Sequence, residues 1–244
     1  MTADERYFER LIPMLKKAHD AQRGPIEEAA QKIAAAFQAG GMLYTFGTGH
    51  AHLLSEEIFY RAGGMARVCP ILDERLMLHV SASESSAFER RVGIARETLA
   101  RYPVKAGDVM IIISNSGRNC APVEMAIEAK QRGIFTIALT NLNHSKAATP
   151  RNPYGKRLFE VCDLVLDNMG VVGDAVVQTS AGAFVSPTST AVGAALLQAI
   201  VARVEEISAQ NGAPAEFFMS ANVDGGDACN EKLIEKYRPV VKCL

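Results

Sequence analysis

The chain has little of what marks a secreted, membrane-embedded or nucleic-acid-binding protein. Cysteine is sparse: five among 244 residues, at 69, 120, 162, 229 and 243, with none in C-x-x-C spacing. An odd, scattered set argues against a disulfide frame or a zinc site and fits reduced thiols in a cytoplasmic protein. Neither sign of charge predominates, since 26 basic residues face 27 acidic ones for a net charge of −1. That balance supplies no basic face for nucleic acid or anionic lipid, so neither is expected as a partner. The first ten residues carry Asp4, Glu5, Arg6, Glu9 and Arg10 where a secretory signal needs an apolar core. The longest apolar stretch, 190–204, is interrupted by Gln198 and holds Arg203. It is too short to span a bilayer and reads as a buried helix. No G-x-x-x-x-G-K-S/T occurs, which disfavours a P-loop nucleotide site.

What is present centres on residues 109–119. Val-Met-Ile-Ile-Ile at 109–113 reads as a buried strand of a parallel sheet. Ser114-Asn115-Ser116-Gly117-Arg118-Asn119 follows at its carboxyl end, where open α/β sheets bind ligands. Residues 121–132 have helical spacing, with Pro122 in the first turn. Small residues opening into a helix N-terminus present free N–H groups and the positive end of a dipole. Ser114 and Ser116 add hydroxyl donors, and Gly117 permits close backbone approach. Hydrogen bonds to a charged oxygen contribute on the order of 1.5–3 kcal/mol each. Three or four would hold a phosphate ester without a lysine. The competing reading is an ordinary polar turn after a strand.

The rest of the chain alternates. Residues 4–38 read as two helices separated at Gly24-Pro25. A strand at 42–46 leads into Gly47-Thr48-Gly49-His50-Ala51-His52 and a helix over 53–61. A strand at 66–72 ends at Asp73-Glu74, and residues 86–101 read as one charged helix. Strands follow at 134–139 and 163–167, separated by a polar loop at 141–157. Ser186 suits an N-cap and Pro187 the first position of a helix reaching about 206. Asp227 suits the cap of a last helix over 228–237. This order predicts one α/β domain over 1–244, a doubly wound five-stranded parallel sheet flanked by helices.

Two other clusters bear on function. The loop at 47–52 is similar to a dinucleotide fingerprint, but His52 stands where the third glycine belongs, so NAD is disfavoured and no cofactor is expected. Gly47 and Gly49 still allow the loop to line a pocket, with Thr48 and His52 beside them. Thr188, Ser189 and Thr190 at a helix start serve either capping alone or ligand contact.

These loops, the Lys105-Ala106-Gly107-Asp108 lead-in and the strand ending Ile-Ser-Asn-Ser-Gly resemble the sugar isomerase (SIS) domain over roughly 30–240. The likeness is to stand-alone bacterial SIS proteins. It implies an αβα sandwich of flavodoxin-like type, assembly as a homodimer or homotetramer, and a phosphosugar ligand. It assigns the phosphate to Ser114, Asn115, Ser116, Gly117 and Asn119, aided by Thr188 or Ser189. Position 119 is usually Ser or Thr in the family, and an Asn amide can also donate. The loop from Gly47 through Thr48 and Gly49 to His52 would face the sugar. Ala62 stands where the etherases of the family carry an acid, which argues against that reaction. The roughly forty residues before the sheet are too few for a regulator's helix-turn-helix.

Aldose–ketose isomerisation requires a base between two adjacent carbons and an acid near the carbonyl oxygen. Candidates near strand ends are His50, His52, Glu56, Glu57, Asp73, Glu74 and His79. Neighbouring helical residues point about 100° apart, so Glu56 and Glu57 cannot both face one ligand. Glu57 is the favoured base, Glu74 the alternative, and His50 the polar group near the substrate oxygen. His50-x-His52 with Asp73 or Glu74 could bind a metal, but two histidines are a thin basis and none is expected. The resulting expectation is a sugar-phosphate isomerase. A non-catalytic phosphosugar sensor and an amino-sugar-phosphate lyase or deaminase would use the same loop.

Overall fold

Strand β3 (Val109–Ile113) lies at the centre of a five-stranded parallel sheet in the computed structural model, which describes residues 1–244. β1 (Leu43–Gly47) and β4 (Phe135–Thr140) flank it, and β2 (Val68–Ile71) and β5 (Leu164–Asp167) form the edges. In register, Leu43 and Phe135 both lie opposite Val109. The side chains of β3 alternate between two cores, as a strand dictates. Val109, Ile111 and Ile113 pack with α1 (Ala3–Gln38) and α7 (Ser189–Gln210). Met110 and Ile112 pack with α4 (Ile94–Leu99) and α5 (Cys120–Gln131). Ile111 and Ile112 are fully buried, and each such side chain contributes roughly 1.5–3 kcal/mol by leaving water.

Several local expectations gave way to tertiary contacts. Residues 3–38 form one helix, not two, although Pro13 and Pro25 lie inside it. An internal proline costs about 3 kcal/mol. Leu11, Ala18 and Gln22 before Pro25, and Ile26, Ala29, Ala30 and Ile33 after it, are all buried, so both halves are held against the same core. The Gln22 side-chain oxygen also accepts the backbone N–H of Asp167 at 3.0 Å, tying the helix to the end of β5.

The expected helix at 86–101 is divided into α3 (Ala82–Phe88) and α4. Gly93 between them has φ +87°, a left-handed conformation that ends helical continuity and suits glycine. The helix after the first loop is shorter than expected, with α2 covering only His52–Glu56. Within the expected loop at 141–157, α6 (Leu142–Ala147) forms because the Asn141 side chain caps it, accepting His144 N–H at 3.0 Å.

Ser186 and Pro187 do not open α7. They lie in β7 (Phe184–Pro187), which pairs antiparallel with β6 (Ala175–Gln178) in a hairpin the sequence reading lacked. The cap comes from fourteen and fifteen residues upstream in sequence: Asp174 accepts the N–H groups of Thr188 and Ser189 at 3.0 and 2.8 Å. The last helix, α8 (Gly226–Tyr237), starts two residues early, with Gly225 at the N-cap position and Asp227 inside its first turn.

Candidate functional site

A cavity of about 380 Å³ opens where the carboxyl ends of β1, β3, β4 and β5 converge. Thr48, Gly49 and His50 come from the loop after β1, and Ser114, Asn115, Ser116 and Asn119 from the loop after β3. His144 arrives on α6, Asn168 just beyond β5, Asp174 ahead of the hairpin, and Ser189 and Thr190 at the start of α7. Glu89 and Ser86 enter from α3 and its end, and no lysine or arginine lines the space. Larger clefts of about 870 and 710 Å³ lie between the start of α1 and the hairpin, away from the strand ends. Location decides in favour of the smaller one, because a parallel sheet directs loops and helix N-termini to its carboxyl edge.

The loop after β3 is built as a donor array. Gly117 has φ +57°, and a Cβ there would stand 3.1 Å from both Leu158 Cβ and Ser145 Oγ. The tight bend sends Gly117 N–H to Ser114 Oγ at 3.2 Å. The Ser114 oxygen is thus occupied as an acceptor while its own proton is free to donate. Asn119 is the N-cap residue of α5, yet its side chain makes no cap bond, and its buried Oδ1 has no hydrogen-bond partner. Asn115 Oδ1 accepts from Asn168 Nδ2 at 2.9 Å, joining the ends of β3 and β5.

Glu89 was missed in the sequence. Its backbone carbonyl accepts Ala121 N–H at 2.9 Å, on the first turn of α5, and its carboxylate accepts the Thr48 hydroxyl at 2.9 Å. One residue therefore bridges the loops after β1 and β3. α5 reinforces this position: the buried Glu124 carboxylate accepts Gly93 and Ala95 N–H at 2.9 and 3.0 Å, capping α4. Tyr154 donates its hydroxyl to the same carboxylate at 2.9 Å. Burial, then that bond to Glu124, pushes the Tyr154 phenol up to about 12, so it stays a neutral donor.

The predicted site residues separate into groups. Ser114, Asn115, Ser116, Asn119, Ser189, Thr48, Gly49 and His50 line the cavity. Gly117 and Gly47 shape it from behind: a Cβ on Gly47 would meet the Ala51 carbonyl at 2.4 Å, so only glycine lets that loop fold back. Thr188 is fully buried and turned to Asp174. His52 is buried; its Nδ1–H donates to the Gly49 carbonyl, and its ring lies 6.0 Å from that of His79. His50 is exposed on the cavity side, so the two histidines diverge, and no three His, Cys, Asp or Glu side chains converge on a metal position.

The structure does not bring Glu57 or Glu74 to the cavity. Glu57, just past the end of α2, accepts Gln198 Nε2 of α7 at 2.9 Å and pairs with Arg61. Glu74 is exposed in a short 3-10 turn over 74–76. Asp73 is engaged structurally: it is 3% exposed and accepts Arg75 Nη2 at 2.7 Å, Thr98 Oγ1 at 2.6 Å and Arg101. Burial alone would raise its pKa, but these donors outweigh it and hold the carboxyl well below the usual range. A depressed folded-state pKa stabilises the fold above the ordinary carboxylate value near 4 and loses that contribution as pH falls below it. Asp73→Asn takes the carboxylate charge from two part-exposed guanidinium groups, Arg75 and Arg101, and is expected to cost about 1–3 kcal/mol at neutral pH. Urea unfolding checks this: the midpoint of the variant falls at pH 7, and the gap from wild type narrows below pH 4.

Comparison with known proteins adds to this geometry. Residues 6–141 match the family described as SIS domain. A UPF0309 protein of Geobacillus sp. (strain WCH70) is 41% identical over 241 residues, covering 98% of each chain. A phosphoheptose isomerase from Francisella tularensis superposes with TM-score 0.53 at 16% identity, over 84% of this chain and 100% of that one. The Vibrio vulnificus NanR protein complexed with ManNAc-6P superposes with TM-score 0.52 at 15% identity, over 100% of this chain and 70% of that one. At such identities these structures establish likeness of fold.

Proposed function

We propose that this chain, which belongs to the SIS domain family, binds a phosphosugar in the cavity at the sheet's carboxyl edge and interconverts its aldose and ketose forms. The observation that carries the reading is the donor array at the N-terminus of α5: the Ser114 hydroxyl, whose oxygen is taken by Gly117 N–H and whose proton is free, together with Ser116 in the cavity lining. The unpartnered Asn119 Oδ1 is an acceptor; a buried polar atom left so costs about 1–3 kcal/mol, and a hydroxyl of the sugar would relieve that cost. Backbone amides and the helix dipole supply the remaining attraction. The cavity's volume suits a small ligand. Support of a coarser kind comes from two proteins of the same fold: one is a phosphoheptose isomerase and the other is complexed with ManNAc-6P.

For the chemistry we assign the base to Glu89, because it is the carboxylate fixed between the loop that meets the phosphate and the loop that meets the sugar. Its carboxylate takes the proton from the carbon next to the carbonyl, and the carbonyl π pair moves onto oxygen to give an enediolate. The same carboxyl returns the proton to the neighbouring carbon, while the hydroxyl proton passes from one enediolate oxygen to the other and the carbonyl re-forms on the second carbon. The test is incubation with a panel of aldose and ketose phosphates in deuterated buffer, followed by NMR. The expected result is interconversion of at least one pair with deuterium at C1 or C2. Binding without interconversion or exchange across the panel would overturn the enzyme reading and leave a phosphosugar receptor.

A further inference from the structure

We infer that His144 acts as a neutral hydrogen-bond donor to the substrate's carbonyl oxygen, through Nε2–H, and not as a base; this assignment rests on the isomerase reading of the same cavity. The evidence is the partner of its other ring nitrogen. Gly173 N–H donates to His144 Nδ1 at 3.2 Å. A nitrogen that accepts a hydrogen bond carries no proton of its own, so the neutral ring must hold its proton on Nε2. Turning the ring over would set a C–H group against the Gly173 N–H and leave that donor unpaired.

The ring is not free to choose another arrangement. α6 and the segment 170–173 are fastened together by two further hydrogen bonds, from Asn141 and Asn143 just ahead of His144 in the chain. Asn141 Nδ2 donates to the Val171 carbonyl and Asn143 Nδ2 to the Gly170 carbonyl, each at 2.9 Å. The Asn141 oxygen meanwhile accepts His144 N–H at 3.0 Å, fixing the backbone from which the ring projects. The two segments approach so closely that a Cβ on Gly170 would stand 2.5 Å from Asn141 Nδ2. His144 itself lines the cavity in company with Glu89 and Ser114. With Nδ1 engaged, Nε2–H is the ring's remaining polar group for the cavity.

The arrangement divides labour between the two residues. Glu89 breaks and remakes the C–H bonds, and the Nε2–H of His144 hydrogen-bonds the oxygen on which negative charge develops. The imidazole proton remains on nitrogen throughout. Its contribution is greatest at the enediolate, so it lowers the barrier more than it tightens binding.

Two measurements test this. The first is the tautomer, read from 15N shifts of the His144 ring in the full chain at neutral pH, before and after a hexose 6-phosphate is added. Nε2–H with a bare Nδ1, and an Nε2 resonance that moves when the ligand binds, are expected. A proton on Nδ1, or an Nε2 signal unmoved by bound ligand, would overturn the assignment. This readout does not need turnover, so it stands apart from any failure of the isomerase reading, which the panel of sugar phosphates detects. The second is kinetic, on the pair the panel identifies. His144→Ala is expected to lower kcat about a hundredfold, the scale of a lost oxyanion donor, with KM changed by less than about threefold. His144→Gln, whose amide donates but cannot serve as a base, is expected to recover at least about a tenth of the wild-type kcat. Equal inactivity of the Gln and Ala variants would show a base and sink the proposal, as would an unchanged kcat for His144→Ala.

Discussion

Replacing both Ser114 and Ser116 with alanine is expected to weaken sugar-phosphate binding by on the order of 10²–10⁴-fold. Two hydrogen bonds to a charged oxygen contribute about 1.5–3 kcal/mol each, and about 1.4 kcal/mol is a factor of ten. Ser114 also accepts from Gly117 N–H, so its loss loosens the loop in addition to removing a donor. Ser116→Ala alone separates these effects, because it deletes a hydroxyl facing the cavity without touching that turn. Calorimetric titration with a hexose 6-phosphate gives the affinities, and circular dichroism checks that the variants fold. Undiminished affinity in the folded double variant would remove the phosphate from this loop.

Glu89→Gln is expected to lower kcat by about 10²–10⁴-fold, the range ascribed to a positioned acid or base. The substitution keeps the side chain's shape, its oxygen as acceptor for Thr48, and the backbone bond to Ala121. Thermal stability and KM should therefore change little, while solvent deuterium incorporation falls in step with kcat. Glu57→Gln and Glu74→Gln serve as the controls, since both side chains lie outside the cavity. Each should leave kcat within about twofold of wild type. A Glu89→Gln enzyme with more than half the wild-type rate would move the base elsewhere.

The parts of this protein legible in its sequence are those where local pattern and tertiary environment agree. The apolar run at 109–113 sits in a fully covered sheet, so its meaning does not depend on register. Ser114 through Asn119 follow it directly, and a strand's carboxyl end fixes where such a loop must lie. Glu89 gave no comparable sign. It stands beside Arg90 and Arg91 in a stretch that reads as a solvated helical face. The available clue was Gly93, whose left-handed backbone opens α4 and so divides the stretch in two, with α3 ending at Phe88 and Glu89 as the residue that closes it. Asp174 was illegible for another reason. Its partners Thr188 and Ser189 lie across a hairpin, and a carboxylate delivered over that distance displaced the local cap expected at Ser186. Glu57 and Glu74 have the right chemistry near the right strands, but Gln198 and Arg61 hold the first and solvent surrounds the second.

The lack of lysine or arginine around the cavity has a bearing on acidity. Hydroxyls and peptide dipoles do not titrate over the range in which cells live, so the loop after β3 offers the same donors at mild acid as at neutrality. The guest does change: a phosphate monoester takes up its second proton near pH 6. At this loop, discrimination between monoanion and dianion therefore belongs to the visiting molecule and follows the ester's own ionisation.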